Sequence, residues 1–128
     1  MSLEIIQSAF EDIKECVERV KNWSSKIAGA DDFLISAHGM LTLDAVTMRL
    51  QIIGEMLKNV DKRDKEFLKK YPGIEWQEIM KLRDIISHHY REVNAEIVFK
   101  ICKNDIPLLE IAVDQILIDI NKQLKTDN

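Results

Sequence analysis

The densest run of chemically capable side chains in the 128-residue sequence is Arg83-Asp84-Ile85-Ile86-Ser87-His88-His89-Tyr90-Arg91. Arginine binds the non-bridging oxygens of a phosphate in a forked geometry and stabilises developing negative charge, while histidine exchanges a proton near neutral pH. Together they suit phosphodiester chemistry, in which an RNA 2′-hydroxyl would serve as the internal nucleophile. On a continuous helix Arg83, Ser87 and Tyr90 share one stripe at steps of four and three, and His88 lies about 140° from Arg83, at the stripe's edge. A plainer reading stays open at this point: Arg83 pairs with an acid such as Asp84 or Glu55, and His88 and His89 are surface or interface residues with ordinary hydrogen bonds.

Other chemistries find no support. No serine or cysteine stands in a nucleophile elbow and no glycine-rich loop could cradle phosphates. The adjacent histidines lack an i, i+4 partner or a cysteine pair, so no metal site is expected, and no cofactor. Glu55, on an apolar stretch, needs a cation, either Arg83 or Lys58. Tyr71 and Trp76, flanking Pro72-Gly73, read either as base-stacking aromatics or as packing for the loop. Cys16, Cys102 and the five methionines read as core residues rather than a redox or cofactor set.

The elements that must hold this cluster are helical. Four Gly and two Pro in the whole chain leave few turns, which disfavours a sheet. Leu3, Ile6, Phe10, Ile13, Val17, Val20 and Ile27 alternate in steps of three and four, predicting one long amphipathic helix that ends near Ala28-Gly29-Ala30, with glycine left-handed and residues 29–32 a turn. A second helical region is expected over about 32–59, either continuous or broken near His38-Gly39. It carries two apolar faces, Leu41, Ala45, Met48 and Ile52 on one and Leu43, Leu50, Ile53 and Leu57 on the other, which suggests a partner chain. A third helix would run from about Glu75 through Ile79, Leu82, Ile85 and Ile86 to Tyr90. Asn94 would cap a short one from Ala95 to Cys102, and Asp105, with Pro107 in the first turn, would cap the last before a fraying tail from Lys122.

Charge is unevenly laid out. Eighteen Lys and Arg against 22 Asp and Glu give a net charge of −4, which argues against coating nucleic acid by bulk charge. Residues 58–70, KNVDKRDKEFLKK, nevertheless hold six basic and three acidic side chains. They are either a solvated short helix or a phosphate-attracting rim of Lys62, Arg63, Lys65, Lys69 and Lys70, joined by Arg91. No stretch approaches the roughly 20 apolar residues of a membrane span, and no secretory leader is recognisable, so one cytoplasmic domain over residues 1–128 with no membrane contact is expected.

The spacing of Arg83, His88 and Tyr90 resembles the R-x4-H-x-Y signature of HepT-like proteins, a branch of the all-helical HEPN superfamily. Leu50-Gln51-Ile52-Ile53-Gly54-Glu55 is similar to that family's LxIIGE stretch, Tyr71-Pro72-Gly73-Ile74-Glu75-Trp76 to its YPxIPW segment, and Asn104-Asp105-Ile106-Pro107-Leu108 to its NDLP helix start. The blocks follow in family order over roughly residues 32–120. The resemblance implies an all-α, antiparallel four- to five-helix bundle, paired as a two-fold dimer. It further implies the toxin of a two-gene toxin–antitoxin module, a metal-independent endoribonuclease partnered by a minimal nucleotidyltransferase. Carried over by motif, Arg83 would bind and polarise the phosphate, His88 would transfer a proton, and Tyr90 would be a site residue and the hydroxyl that the partner modifies with AMP. Asp84, Ser87 and Glu55 would support them. Asp84 stands where the family commonly has Asn, and His89 where Asp is common. An Asp84 aimed into the cleft would weaken RNA binding and raise the His88 pKa, whereas one bound to Arg83 would orient the guanidinium. The alternative function is a non-catalytic helical subunit that binds nucleotide or substrate for a nucleotidyltransferase complex.

Overall fold

Ser2 caps the first helix, α1 (Leu3–Ser24), its hydroxyl accepting the Ile5 N–H at 3.4 Å. The computed structural model describes residues 2–87 and 91–127, with the side chains of Arg83, Ser87, Arg91, Glu92 and Val93 outside that description. Ile6, Phe10, Ile13, Val17 and Val20 are all buried, as their spacing predicts. The polar residue in the seam, Ser24, is also buried, and it satisfies its hydroxyl within the helix by donating to the Val20 carbonyl at 2.7 Å.

α1 stops short of the expected glycine. The Asp32 carboxylate accepts the Ala28 N–H at 2.7 Å, which draws the chain out of the helix. Gly29 is extended, at φ −160°, and precedes a 3-10 turn, Ala30–Phe33, that drives Phe33 fully into the core. Among the described residues no glycine has a positive φ, so the left-handed end expected at Gly29 is not used.

α2 (Ala37–Arg63) starts at Ser36, whose hydroxyl accepts the Gly39 N–H at 2.9 Å. The region expected to be helical over about 32–59 is interrupted at residues 34–36, just ahead of His38-Gly39, which lie in the first turn of α2. Gly39 is needed for closeness rather than for bending, because a Cβ there would overlap the Asp32 carbonyl oxygen of the preceding turn. Leu43, Leu50, Ile53 and Leu57 are buried, but Leu41 and Met48 are 67% and 56% exposed. Of the two apolar faces of this helix, the single chain covers one. Of the methionines, Met56 and Met80 pack against the core as expected, Met40 is half-buried and Met48 is open.

Residues 76–87 form two short helices, α3 (Trp76–Met80) and α4 (Leu82–Ser87), where one was expected. Trp76, Ile79, Leu82 and Ile86 are the buried positions, and two successive steps of three would swing Leu82 about 120° off the Trp76 face of a straight helix. The interruption at Lys81, near φ −85° and ψ −2°, brings Leu82 back to the core. Gly54 lets α3 lie against α2, because a Cβ on it would come 2.9 Å from the Ile79 carbonyl oxygen.

α5 (Arg91–Lys100), a π-helical turn (Ile101–Asp105) and α6 (Ile106–Asp127) follow one another without a loop. Asn94 therefore lies inside a helix rather than capping one, Asp105 closes the π turn rather than opening α6, and the tail beyond Lys122 stays helical to Asp127. Pro107 has no N–H and its ring crowds the carbonyl four residues back. The wider π turn absorbs that conflict without ending the rod.

α1 lies between α2 and α6 and runs antiparallel to both. Phe10 meets Phe67 just beyond the end of α2 at 5.7 Å between ring centres, while Cys16 lies 3.9 Å from the Arg49 guanidinium. On the other side Gln7 bonds Asn121 at 2.9 Å, Lys14 pairs with Asp114 at 3.2 Å and Lys21 with Glu110 at 3.0 Å, the second number falling as the first rises. α3, α4 and α5 pack on α2, completing an all-α bundle around one continuous core. Among the described residues no helix is long and apolar enough to cross a membrane.

Candidate functional site

α4 carries the first half of the cluster because Leu82 and Ile86, one turn apart, are buried and fix that short helix to the bundle. Across from it α5 is anchored by Ala95 and Val98, both fully buried. Both helices contact α2 and each other. Arg83 and Ser87 each follow one of the α4 anchors in sequence, and Arg91 opens α5.

His88, His89 and Tyr90 lie outside the described residues, as do the side chains of Arg83, Ser87 and Arg91. Of the supporting residues, Asp84 is exposed in the first turn of α4. Glu55 is half-buried on α2 next to Gly54, on the helix against which α4 packs, and it is engaged rather than free.

The proposed rim is more fully described. Lys62 and Arg63 end α2, Lys65 follows in the turn, and Lys69 and Lys70 belong to a 3-10 turn, Leu68–Lys70. All five are exposed. Lys69 pairs with Glu66 at 3.0 Å, and Lys70 lies over the Phe67 ring at 5.6 Å. The segment is not a freely solvated helix, because Val60 near its start and Phe67 and Leu68 towards its end are buried and clamp it to the bundle.

Tyr71 and Trp76 pack the loop. The Trp76 Nε1–H donates to the Tyr71 carbonyl at 2.8 Å, and the Tyr71 hydroxyl donates to Asp119 on α6 at 2.8 Å. Partial burial, then the bond and the charge of Asp119, push the Tyr71 hydroxyl well above its ordinary pKa. The same bond, with a second from Gln115, holds the Asp119 carboxyl below the usual range. Cys16 and Cys102 are buried free thiols, as expected, and burial pushes the Cys102 thiol up. Among the described residues no group of His, Cys, Asp and Glu could hold a metal ion.

The sequence reading passed over one surface. α6 bears, besides its buried stripe, a second line of Leu108, Ile111 and Ile118 that is 55%, 68% and 48% exposed. The signal was present: those spacings are helical, and residues 104–121 contain four carboxylates and no Lys or Arg.

Comparison with known proteins gives a consistent result. The family described as "Ribonuclease HepT-like" matches residues 5–116. A relative named "Probable ribonuclease HepT" from Thermococcus cleftensis is 35% identical over 100 residues, covering 78% of this chain and 84% of its own. One named "Putative RNase" from Caldanaerobacter subterraneus is 35% identical over 108 residues, covering 82% and 87%. Another, from Methanocaldococcus jannaschii and named "Gamma-glutamylcyclotransferase and putative RNase", is 34% identical over 110 residues, 86% of this chain, which spans only 46% of that longer protein. No solved structure gives a significant match. With the match running over most of the helices and across the whole Arg-His-Tyr segment, the chain belongs to the HepT-like ribonuclease family.

Proposed function

We propose that the chain is a metal-independent endoribonuclease acting as the toxin of a toxin–antitoxin pair, with Arg83 and His88 as its catalytic residues. The observation that carries this reading is the R-x4-H-x-Y motif, located where α4 hands over to α5 and inside the family-matched region. Arg83 binds the non-bridging phosphate oxygens and stabilises charge as it develops. The RNA 2′-oxygen attacks phosphorus, the bond to the 5′-oxygen breaks, and the departing 5′-oxygen takes a proton. His88 serves in moving the proton off the 2′-hydroxyl and onto the leaving oxygen, leaving a 2′,3′-cyclic phosphate. Lys62, Arg63, Lys65, Lys69, Lys70 and Arg91 supply the rim along which RNA approaches.

Two motifs meet in one cleft if the chain pairs as a two-fold dimer. The open face of α2, with Leu41 and Met48 exposed and Ala45 and Ile52 half-buried, supports this pairing. The cognate partner is a minimal nucleotidyltransferase that transfers AMP to the Tyr90 hydroxyl. The added phosphate fills the cleft and cancels its positive field.

The test is incubation of the purified protein with labelled single-stranded RNA in EDTA, beside His88→Ala. The expected result is cleavage to 2′,3′-cyclic phosphate ends, lost in the variant while fold and dimer persist. Intact RNA with a well-folded protein, unchanged on Asp84→Asn, would overturn the reading in favour of a nucleotide- or substrate-binding subunit.

A further inference from the structure

Between α3 and α4 on one side and the α5–π–α6 rod on the other lies a cleft of about 260 Å³. Its floor is aliphatic, with Ile79, Leu82 and Ile101 among its residues. Its polar members are three carboxylates, Glu75, Glu78 and Asp105, against one cation, Lys100. The volume falls below the roughly 300–1,000 Å³ typical of cavities that enclose a cofactor or drug-sized ligand, and suits a large side chain or two.

The cleft does not stand alone. Leu108 lies at its edge and also begins the exposed line Leu108, Ile111, Ile118 along α6. From Leu108 to Ile118 the line extends about 15 Å, ten residues at 1.5 Å each, with Gln115 between Ile111 and Ile118. Of the carboxylates in the stretch 104–121, Glu110 and Asp114 are met by Lys21 and Lys14 of α1 and Asp119 by the Tyr71 hydroxyl, so the excess negative charge lies at the cleft, where Glu75, Glu78 and Asp105 face Lys100. A carboxylate beside apolar surface, such as Asp105, is pushed upward in pKa by partial desolvation despite Lys100.

Charge decides what covers such a surface. RNA is repelled by it. A second copy is a poorer occupant: paired through the same face it would set Glu75, Glu78 and Asp105 against their own like charges, and the apolar residues of its basic segment, Val60, Phe67 and Leu68, are buried in its own core. We propose that the cleft and the outer line of α6 together dock a separate polypeptide. Its form is an amphipathic helix with aliphatic side chains at helical spacing, flanked by Lys and Arg, one large side chain entering the cleft between α3, α4 and the rod. This surface is distinct from the RNA rim and from the open α2 face, and the inference does not depend on RNA cleavage.

The experiment titrates the full-length, ¹⁵N-labelled protein with a synthetic helix of about fourteen residues bearing leucines at steps of three and four and lysines beside them. The controls are a scrambled peptide of equal composition and one with glutamates for lysines. The expected result is amide shifts at Glu78, Leu108, Ile111 and Ile118, with binding at least about tenfold weaker for both controls and for Ile111→Glu. Ile111 is open to solvent, so that variant folds and retains any ribonuclease activity. Equal affinity for the scrambled peptide, or shifts confined to Leu41 and Met48, overturns the proposal. So does sedimentation in which Ile111→Glu converts a dimer to a monomer, since a second copy would then be the occupant.

Discussion

Residues 58–70 and residues 104–121 treat charge and apolar side chains in opposite ways. The first segment is basic outside and turns Val60, Phe67 and Leu68 inward, so its surface presents cations with no apolar line between them. The second carries four carboxylates, two of them met by Lys14 and Lys21 of α1, and, although Leu109, Val113, Ile116 and Ile120 fill the core, it leaves Leu108, Ile111 and Ile118 in water. A net charge of −4 averages these two surfaces and describes neither. On the two proposals above, the first would meet a polyanion and the second a basic, amphipathic polypeptide, on separate surfaces of one small bundle.

The largest effect that sharpens the contrast concerns stability. Phe67→Ala removes a buried ring that packs 5.7 Å from Phe10, and is expected to cost about 3–5 kcal/mol in denaturant unfolding. A loss below about 1 kcal/mol would mean that the basic segment is not clamped. Next comes binding. Lys62→Glu with Arg63→Glu should weaken single-stranded RNA binding about tenfold near 0.1 M salt, and reduce the slope of log K against log salt by about 1.4, two phosphate contacts' worth. An unchanged slope would remove these residues from the RNA path.

A smaller effect links the two regions, because the Tyr71–Asp119 bond ties the end of the basic segment to α6. Tyr71→Phe should cost about 1 kcal/mol near neutral pH. The folded state holds the Tyr71 proton more tightly than the unfolded chain, so its contribution is complete below about pH 10, the unfolded value, and declines as pH rises beyond it. The wild type should therefore lose stability above about pH 10 more steeply than Tyr71→Phe, as read from melting temperature against pH. Asp119 works at the other end: its carboxyl is held low, so its contribution is present above about pH 4, the unfolded value, and fades as pH falls below that. The smallest effect belongs to the acidic face. Ile111→Ser, at a side chain 68% exposed, should change stability by less than about 0.5 kcal/mol. A larger loss would mean that the outer line of α6 supports the fold of the single chain.

The long helices were legible because burial imposes a period. The α1 stripe, one face of α2 and the inner face of α6 follow from the spacing of Ile, Leu, Val and Phe alone. What escaped were the places where a local contact overrides the pattern. Asp32 binding the Ala28 N–H ends α1 early, the interruption at Lys81 lets Leu82 reach the core, and Pro107 is accommodated by a π turn rather than by a new helix start. The candidate site was legible as chemistry, from Arg83, His88 and Tyr90, because side-chain type and order alone carry that information. The tether between Tyr71 and Asp119 was not, since 48 residues separate the partners and no periodicity joins them.

The π turn at Ile101–Asp105 also sets a phase. A turn closed by i to i+5 bonds holds one residue more than an α-helical turn, which amounts to about 100° of rotation carried into everything downstream. Loss or gain of a single residue elsewhere in α5 or α6 would roll the rod and present the wrong stripe to α1, breaking the alignment of Gln7 with Asn121 and Lys14 with Asp114. Within 101–105 the same change has somewhere to go, because a π turn can tighten to an α turn. That segment is therefore a stretch of the rod where a lineage could lose one residue and still keep the inner stripe of α6 on the core and its outer line in water.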